Sequence, residues 1–243
     1  MYNKFIEDGR EFLKIEDGNI NIVFSTAYND ISYKLGEENT QKNLDELKKI
    51  FSVNKVNYTK QIHSDILINL DKEESTDSEA DGLILSRKNE IAGVFTADCV
   101  PVIIYDKDKE VIAAVHSGWK GTIADISKKA CELMKKKYSC ENIKVVIGPC
   151  VGKCCYEVSE ELAEKFVNKY GETVADLRML DLKEAIKIQL KDFVKSEDIL
   201  DLNLCTNCST DIELHSYRRK QENSGRLFSF VYIKWLKNNK GES

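Results

Sequence analysis

IAGVFTADCVPVIIYDKDKEVIAAV, residues 91–115, holds three apolar runs in close succession, at 91–96, 102–105 and 111–115. Each is short and uncharged and reads as a strand, and DKDKE at 106–110 joins the last two through a polar hairpin-type turn. Downstream, 123–138 reads as a helix with Lys135, Lys136 and Lys137 at its C-terminal end, where cations suit the dipole. Residues 143–147 are a buried strand candidate, and 160–170 and 182–193 read as helices. Upstream, 21–26 (NIVFST) reads as a strand, and 41–51 carries Leu44, Leu47, Ile50 and Phe51 as a helical stripe. Residues 55–63 and 66–70 look extended, 71–80 is a charged loop, and 237–243 is a frayed tail. The apolar closing element at 227–236 fits strand or helix. No short repeat and no break in composition appears. The expectation is one α/β domain over 1–243, with a mixed β-sheet core covered by helices.

A chain of 243 residues is long enough for one sizeable core. The net charge of -5 supplies no basic face for nucleic acid and suits solubility. No apolar run approaches the ~20 residues of a membrane helix. The first residues, MYNKFIEDGREFLKIEDG, are broken by charges and lack a signal-peptide core. We therefore expect a cytoplasmic protein with no nucleic-acid, membrane or protein partner. In that reducing compartment the eight cysteines read as metal ligands, catalytic thiols or small buried hydrophobes.

Three residues at strand-to-loop junctions are the candidates for chemistry: His63 in KQIHSD, Cys99 in FTADCVP and His116 in AAVHSGWKG. Two imidazoles and a thiolate suit zinc, which in catalytic sites keeps three protein ligands and one open position. Asp98, beside Cys99, is a candidate acceptor for an imidazole N–H. Its bland alternative is a surface or helix-capping aspartate. Lone histidines and cysteines are commonly just packed. Cys99 with His116 also fits a nucleophile and its general base, as in a cysteine hydrolase. The residues alone leave these readings open.

The runs ADGLILS, TADCVPVIIYD, AAVHSGWKGT, IGPCVGKCCYEV, and SYRR with a later GR resemble the multicopper polyphenol oxidoreductase, or laccase-domain, family. The resemblance runs from about 63 to 230, with the runs in the family's order. It implies a single-domain α/β fold and a zinc held by His, Cys and His, at positions matching His63, Cys99 and His116. It also implies phosphorolysis of adenosine, inosine, guanosine and methylthioadenosine, with adenosine deaminase activity besides. The older laccase name implies copper-dependent phenol oxidation. In STAYNDISYKLG, Ala27 stands where the family pattern leads one to expect an arginine.

Phosphorolysis of purine nucleosides needs an anion site and room for base and ribose. Lys120 follows His116 by four residues, and Arg218 and Arg219 offer planar forks suited to phosphate. A solvated basic turn is the plainer reading of the arginines. Trp119 suits stacking on a base or packing in the core, and Gln61 suits binding substrate or capping a loop. The signature of zinc nucleobase deaminases is missing: no H-x-E occurs, and Cys150 and Cys154 are spaced C-x3-C. Three histidines are too few for both a type 1 copper site and a trinuclear cluster, which leaves zinc, or copper at one site, as the metal. Cys205 and Cys208 form a C-x-x-C pair that, with Cys150, Cys154 or Cys155, could build a second metal site, or the thiols are incidental. Cys131, Cys140 and His215 read as packing residues.

Overall fold

A computed structural model describes residues 2–73 and 78–235. The described strands are β1 Asn3–Glu7, β2 Arg10–Asp17, β3 Ile20–Ser25, β4 Lys55–Asn57, β5 Leu67–Asn69, β6 Gly82–Leu85, β7 Glu90–Thr96, β8 Val100–Asp106, β9 Val111–Ser117, β10 Ile143–Ile147, β11 Ala175–Asp176, β12 Met179–Leu180, β13 Ile199–Asp201 and β14 Leu227–Ile233. The α-helices are α1 Thr40–Phe51, α2 Trp119–Ile123, α3 Ile126–Tyr138, α4 Glu160–Tyr170, α5 Leu182–Leu190 and α6 Tyr217–Lys220. One sheet runs β1-β2-β3-β14-β7-β4, a second runs β13-β10-β8-β9-β6-β5, and β11 and β12 form a small ladder. Neighbours are antiparallel except that β4 joins β7, β5 joins β6 and β13 joins β10 in parallel.

The two large sheets stack face to face, and a helical layer covers each outer face. Ile22, Phe24, Val94 and Val231 of the first sheet meet Leu83, Ile103, Ile112 and Ala114 of the second in one fully buried cluster. The alternate residues of the second sheet, Val102, Ile104, Ala113 and Val115, pack under α3 to α5 through Ala130, Phe166 and Ile186. The first sheet's other face, with Phe12, Val23, Phe228 and Phe230, packs under α1 through Leu44, Leu47 and Phe51. Strands β8, β9 and β14 are buried at every position, which is why their sequences are apolar runs and not alternating ones.

The closing segment, which fitted strand or helix, is β14, inserted between β3 and β7. Three elements differ from their sequence reading. The helix expected over 123–138 is two helices, α2 and α3, because Asp125 adopts a left-handed backbone (φ 61°) between them. The helix expected over 182–193 ends at Leu190. The extended segment 55–63 is a strand only over Lys55–Asn57, because the backbone N–H groups of Ile62, His63 and Ser64 donate to the Asp81 carboxylate. The N-terminal hairpin β1–β2, unread in the sequence, is an edge whose exposed outer strand accounts for its charges. Residues 74–77 of the charged loop and the tail 237–243 lie outside the described residues.

Candidate active site

Strand pairing brings the first two ligand candidates together. Cys99 directly precedes β8, His116 lies at the end of β9, and the ladder sets Val100 opposite Ser117 and Pro101 opposite His116. His63 arrives from the loop after β4. One ligand atom from each of the three lies within 4.8 Å of the others. His63 Nε2 is 3.8 Å from Cys99 Sγ, and the two imidazoles meet edge to face at 4.9 Å.

Asp81, fully buried just before β6, is what aims both histidines. One carboxylate oxygen accepts from His116 Nδ1 at 2.7 Å and from the His63 backbone N–H at 3.0 Å. The other accepts from the Ser64 N–H at 2.6 Å, the Ser64 hydroxyl at 2.7 Å and the Ile62 N–H at 3.2 Å. These donors hold His63 in the left-handed region (φ 59°), uncommon for a residue with a Cβ. Burial opposes ionisation of Asp81, but His116 and Ser64 outweigh it and hold the carboxyl near about 2. A carboxylate can only accept, so His116 carries a proton on Nδ1, which leaves Nε2 as the atom that faces a metal once its own proton is lost.

The sequence reading set Asp98 beside an imidazole. Its carboxylate instead accepts from the Thr206 hydroxyl at 2.6 Å and the Arg218 backbone N–H at 2.7 Å, and the imidazole partner is Asp81. Asp81 stood in ADGLILS, but nothing in its sequence distance from His63 or His116 linked it to either.

Two imidazoles and a thiolate fit a divalent cation such as zinc in chemistry and in space. A Cβ added to Gly118 would lie 3.0 Å from Cys99 Sγ and 3.0 Å from His63 Cδ2, so the glycine keeps the approach to the donors clear. Burial pushes the Cys99 thiol up, but His116 and His63 outweigh it and bring it down to about 6. Burial likewise pushes His116 down, while Cys99 and Asp81 outweigh it and raise it to about 9. The site thus favours the thiolate, the form that binds a metal or attacks a carbonyl.

The three residues form the floor of a cleft of about 840 Å³, within the range of small-molecule sites. Phe95, Tyr156 and Tyr217 give it aromatic walls, and Lys34, Arg218 and Arg226 give it positive charge. Of the expected binding residues, Arg218 lines the cleft, with its guanidinium 4.9 Å over the Tyr156 ring. Arg219 does not: its guanidinium donates to the carbonyls of Thr206, Asn207 and Leu214 and braces a loop. Lys120 is exposed beside Trp119 and lies off the cleft. Gln61 lines it, but its side-chain amide donates to and accepts from the Phe95 backbone, at 2.8 and 2.7 Å. Ala27 is buried outside the cleft, its N–H on the Glu213 carbonyl. Sequence reasoning missed Tyr156, Tyr217 and Arg226, although each lay inside or beside a run quoted for the resemblance.

A model of the family described as multi-copper polyphenol oxidoreductase laccase matches residues 25–234. The chain belongs to this family. Similar laccase-family proteins include a purine nucleoside phosphorylase of Clostridium acetobutylicum, 41% identical over 93% of this chain and 98% of the relative. A purine nucleoside phosphorylase of Aquifex aeolicus is 31% identical over 96% of this chain and 100% of its own. The fold is that of the crystal structure of a hypothetical protein YfiH from Bacillus licheniformis, with a TM-score of 0.84 at 24% identity over 95% of this chain and 99% of the other.

The laccase family's name points to copper, and the histidines of this chain weigh against multicopper chemistry. His215, the third of three, is buried elsewhere with Nε2 on the Ile31 carbonyl at 2.9 Å, and Gly225 packs against its ring. No histidine is left for a trinuclear cluster. Two histidines and a cysteine also suit a single blue-copper ion with a weak axial methionine, glutamine or backbone oxygen. Among the described residues no methionine lines the cleft, and Gln61, which does, has its amide on the Phe95 backbone.

Proposed function

We propose that this chain is a zinc-dependent purine nucleoside phosphorylase of the cytoplasm. It cleaves adenosine, inosine, guanosine and methylthioadenosine with phosphate, giving the free base and the sugar 1-phosphate, with adenosine deamination as a side activity. The observation that carries the reading is the joining of two features in one cleft: the His63, Cys99 and His116 donor set on the floor, and the Arg218 and Arg226 guanidinium groups in the wall. The names of the Clostridium and Aquifex relatives support the substrate class. Eight free cysteines and the absence among the described residues of any helix long and apolar enough to cross a membrane fit the location.

Orthophosphate suits the planar fork of a guanidinium. Among the described residues no carboxylate pairs with the side chain of Arg218 or Arg226, which donate to the carbonyls of Glu157 and of Ser224 and Gly225, respectively. They hold the anion against C1′ of the ribose, where the new C–O bond forms as the glycosidic C–N bond breaks and the base leaves with a proton. Phe95, Tyr156 and Tyr217 offer ring faces and edges to the purine. His63, Cys99 and His116 would hold the zinc, with Asp81 behind them, and bound zinc supplies Lewis acidity for both reactions. The test is release of free base from inosine or adenosine by metal-quantified protein, with and without phosphate. Phosphate-dependent release, abolished by Cys99→Ala, is expected; full activity in that variant overturns the role of Cys99.

One observation favours a second reading. Cys99, His116 and Asp81 form a thiol–imidazole–carboxylate chain with the thiol near about 6, as a cysteine hydrolase requires. A hydrolase keeps its activity after chelation, and the phosphorylase loses it.

A further inference from the structure

Cys154 and Cys155 sit in the loop after β10, and Cys205 and Cys208 in the loop after β13. Their four Sγ atoms lie within 4.8 Å of one another. We propose that these four cysteines form a second, structural metal site that takes zinc as a tetrathiolate centre and clips together the two loops behind the cleft wall.

The spacing is that of ligands on one ion. A tetrahedron built on metal–sulfur bonds of ~2.3 Å has edges of about 3.8 Å; Cys154 Sγ and Cys208 Sγ are 3.6 Å apart. The backbone is already arranged for it. A parallel bridge joins the loops, with the Cys150 N–H on the Leu204 carbonyl at 3.1 Å and the Thr206 N–H on the Cys150 carbonyl at 2.9 Å. The Gly152–Cys155 turn closes on a 2.9 Å hydrogen bond, and a Cβ at Gly152 would lie 3.2 Å from Cys154 Sγ, so glycine leaves the thiols their room. Cys205-Thr-Asn-Cys208 folds as a tight turn whose first sulfur accepts a hydrogen bond from the Gly152 N–H at 3.3 Å. A donor aimed at a sulfur favours the thiolate that a metal needs. Binding releases the thiol protons to solvent, and no electron moves. Cys150 is not a ligand: it is buried in the helix-covered core, and burial pushes its thiol up.

The site's neighbours give it a purpose. Tyr156, next to Cys155, lines the cleft. Thr206, inside the C-x-x-C turn, donates to Asp98, whose neighbour is Cys99. Arg219 anchors the same turn from the other side. A zinc here would hold the wall and the backbone beside Cys99 in place. The site is independent of whatever reaction the cleft performs.

The test is zinc content and sulfur coordination of the full-length protein purified without chelator. We expect two zinc ions per chain. Cys99→Ala should keep one, with four sulfur neighbours in X-ray absorption, and Cys154→Ser/Cys208→Ser should lose that one. Should the double variant fail to fold, alkylation mapping of the wild type decides: Cys154 and Cys208, although exposed, should react only after chelation. Cys99→Ala protein without zinc, prompt labelling of the exposed pair, or recovery of Cys154 and Cys208 as a disulfide would each overturn the proposal.

Discussion

Asp81 shows how much one carboxylate can organise. Its two oxygens serve an imidazole, three backbone N–H groups and a hydroxyl from chain segments far apart in sequence. Asp81→Asn keeps the shape but replaces one acceptor oxygen with a donor. Metal affinity should fall about 10- to 100-fold, the usual cost of removing an outer partner of a ligating histidine. Competition with a chromophoric chelator measures it, and unchanged affinity would show that the histidines are held by other means. Arg226 is one test of the anion wall; its guanidinium also donates to the Ser224 and Gly225 carbonyls, as that of Arg218 does to the Glu157 carbonyl. Arg226→Lys keeps the charge and loses the fork. A rise in KM for phosphate of about tenfold, with a smaller change for the nucleoside, is expected from steady-state kinetics. At this scale the sequence exposed the ligands and hid their supports. His63, Cys99 and His116 stand out because reactive residue types at strand ends are few. Asp81 and Asp98 look alike as letters, and only the fold shows which one faces an imidazole.

Elements were legible where one face differed from the other. Helix α1 buries Leu44, Leu47 and Phe51 and leaves the residues between them half-buried or exposed, so its period survives in the sequence. Helix α4 announces its start through Ser159, whose hydroxyl accepts from the Leu162 N–H at 3.3 Å. Strand β14 hides its period because both faces are buried, so LFSFVYI fits strand or helix equally. Its neighbour β7 carries a closer constraint. A Cβ on Gly93 would come within 2.2 Å of the Phe228 ring, itself stacked on Tyr33 and Phe230. Gly93→Ala should therefore destabilise the protein by about 1–3 kcal/mol in urea unfolding. Adding Phe228→Leu should cost less in the Gly93→Ala background than in wild type. Simple additivity of the two would show that the ring is not what the glycine accommodates.

The sheets are joined by apolar burial across their interface and, at its edge, by an ionic tie. Asp17, at the end of β2, pairs with Lys107 at 2.8 Å and Lys144 at 2.9 Å from the second sheet and its β8–β9 turn. Burial pushes the carboxyl up, but the two lysines outweigh it and hold it near about 2. Its folded value is below that of the unfolded chain, so the stabilisation is full above about pH 4 and disappears as pH falls toward 2. Asp17→Asn should cost about 1–2 kcal/mol at pH 7, and the gap to wild type should narrow between pH 4 and 3 in urea titrations. An equal gap at both ends would show that the pair is not ionic in effect.

What the amino-acid order determined by itself was local: apolar runs for strands, a stripe for α1, reactive residues at strand ends, and a family resemblance over most of the chain. The pairing of β14 between β3 and β7, the reach of Asp81 to His116, the separation of Arg218 from Arg219, and the gathering of four cysteines from two loops were decided by tertiary structure alone. The reason is physical. Propensity and periodicity act between residues a few positions apart. A carboxylate's partner or a thiol's neighbours are set by which buried faces the whole chain brings into contact.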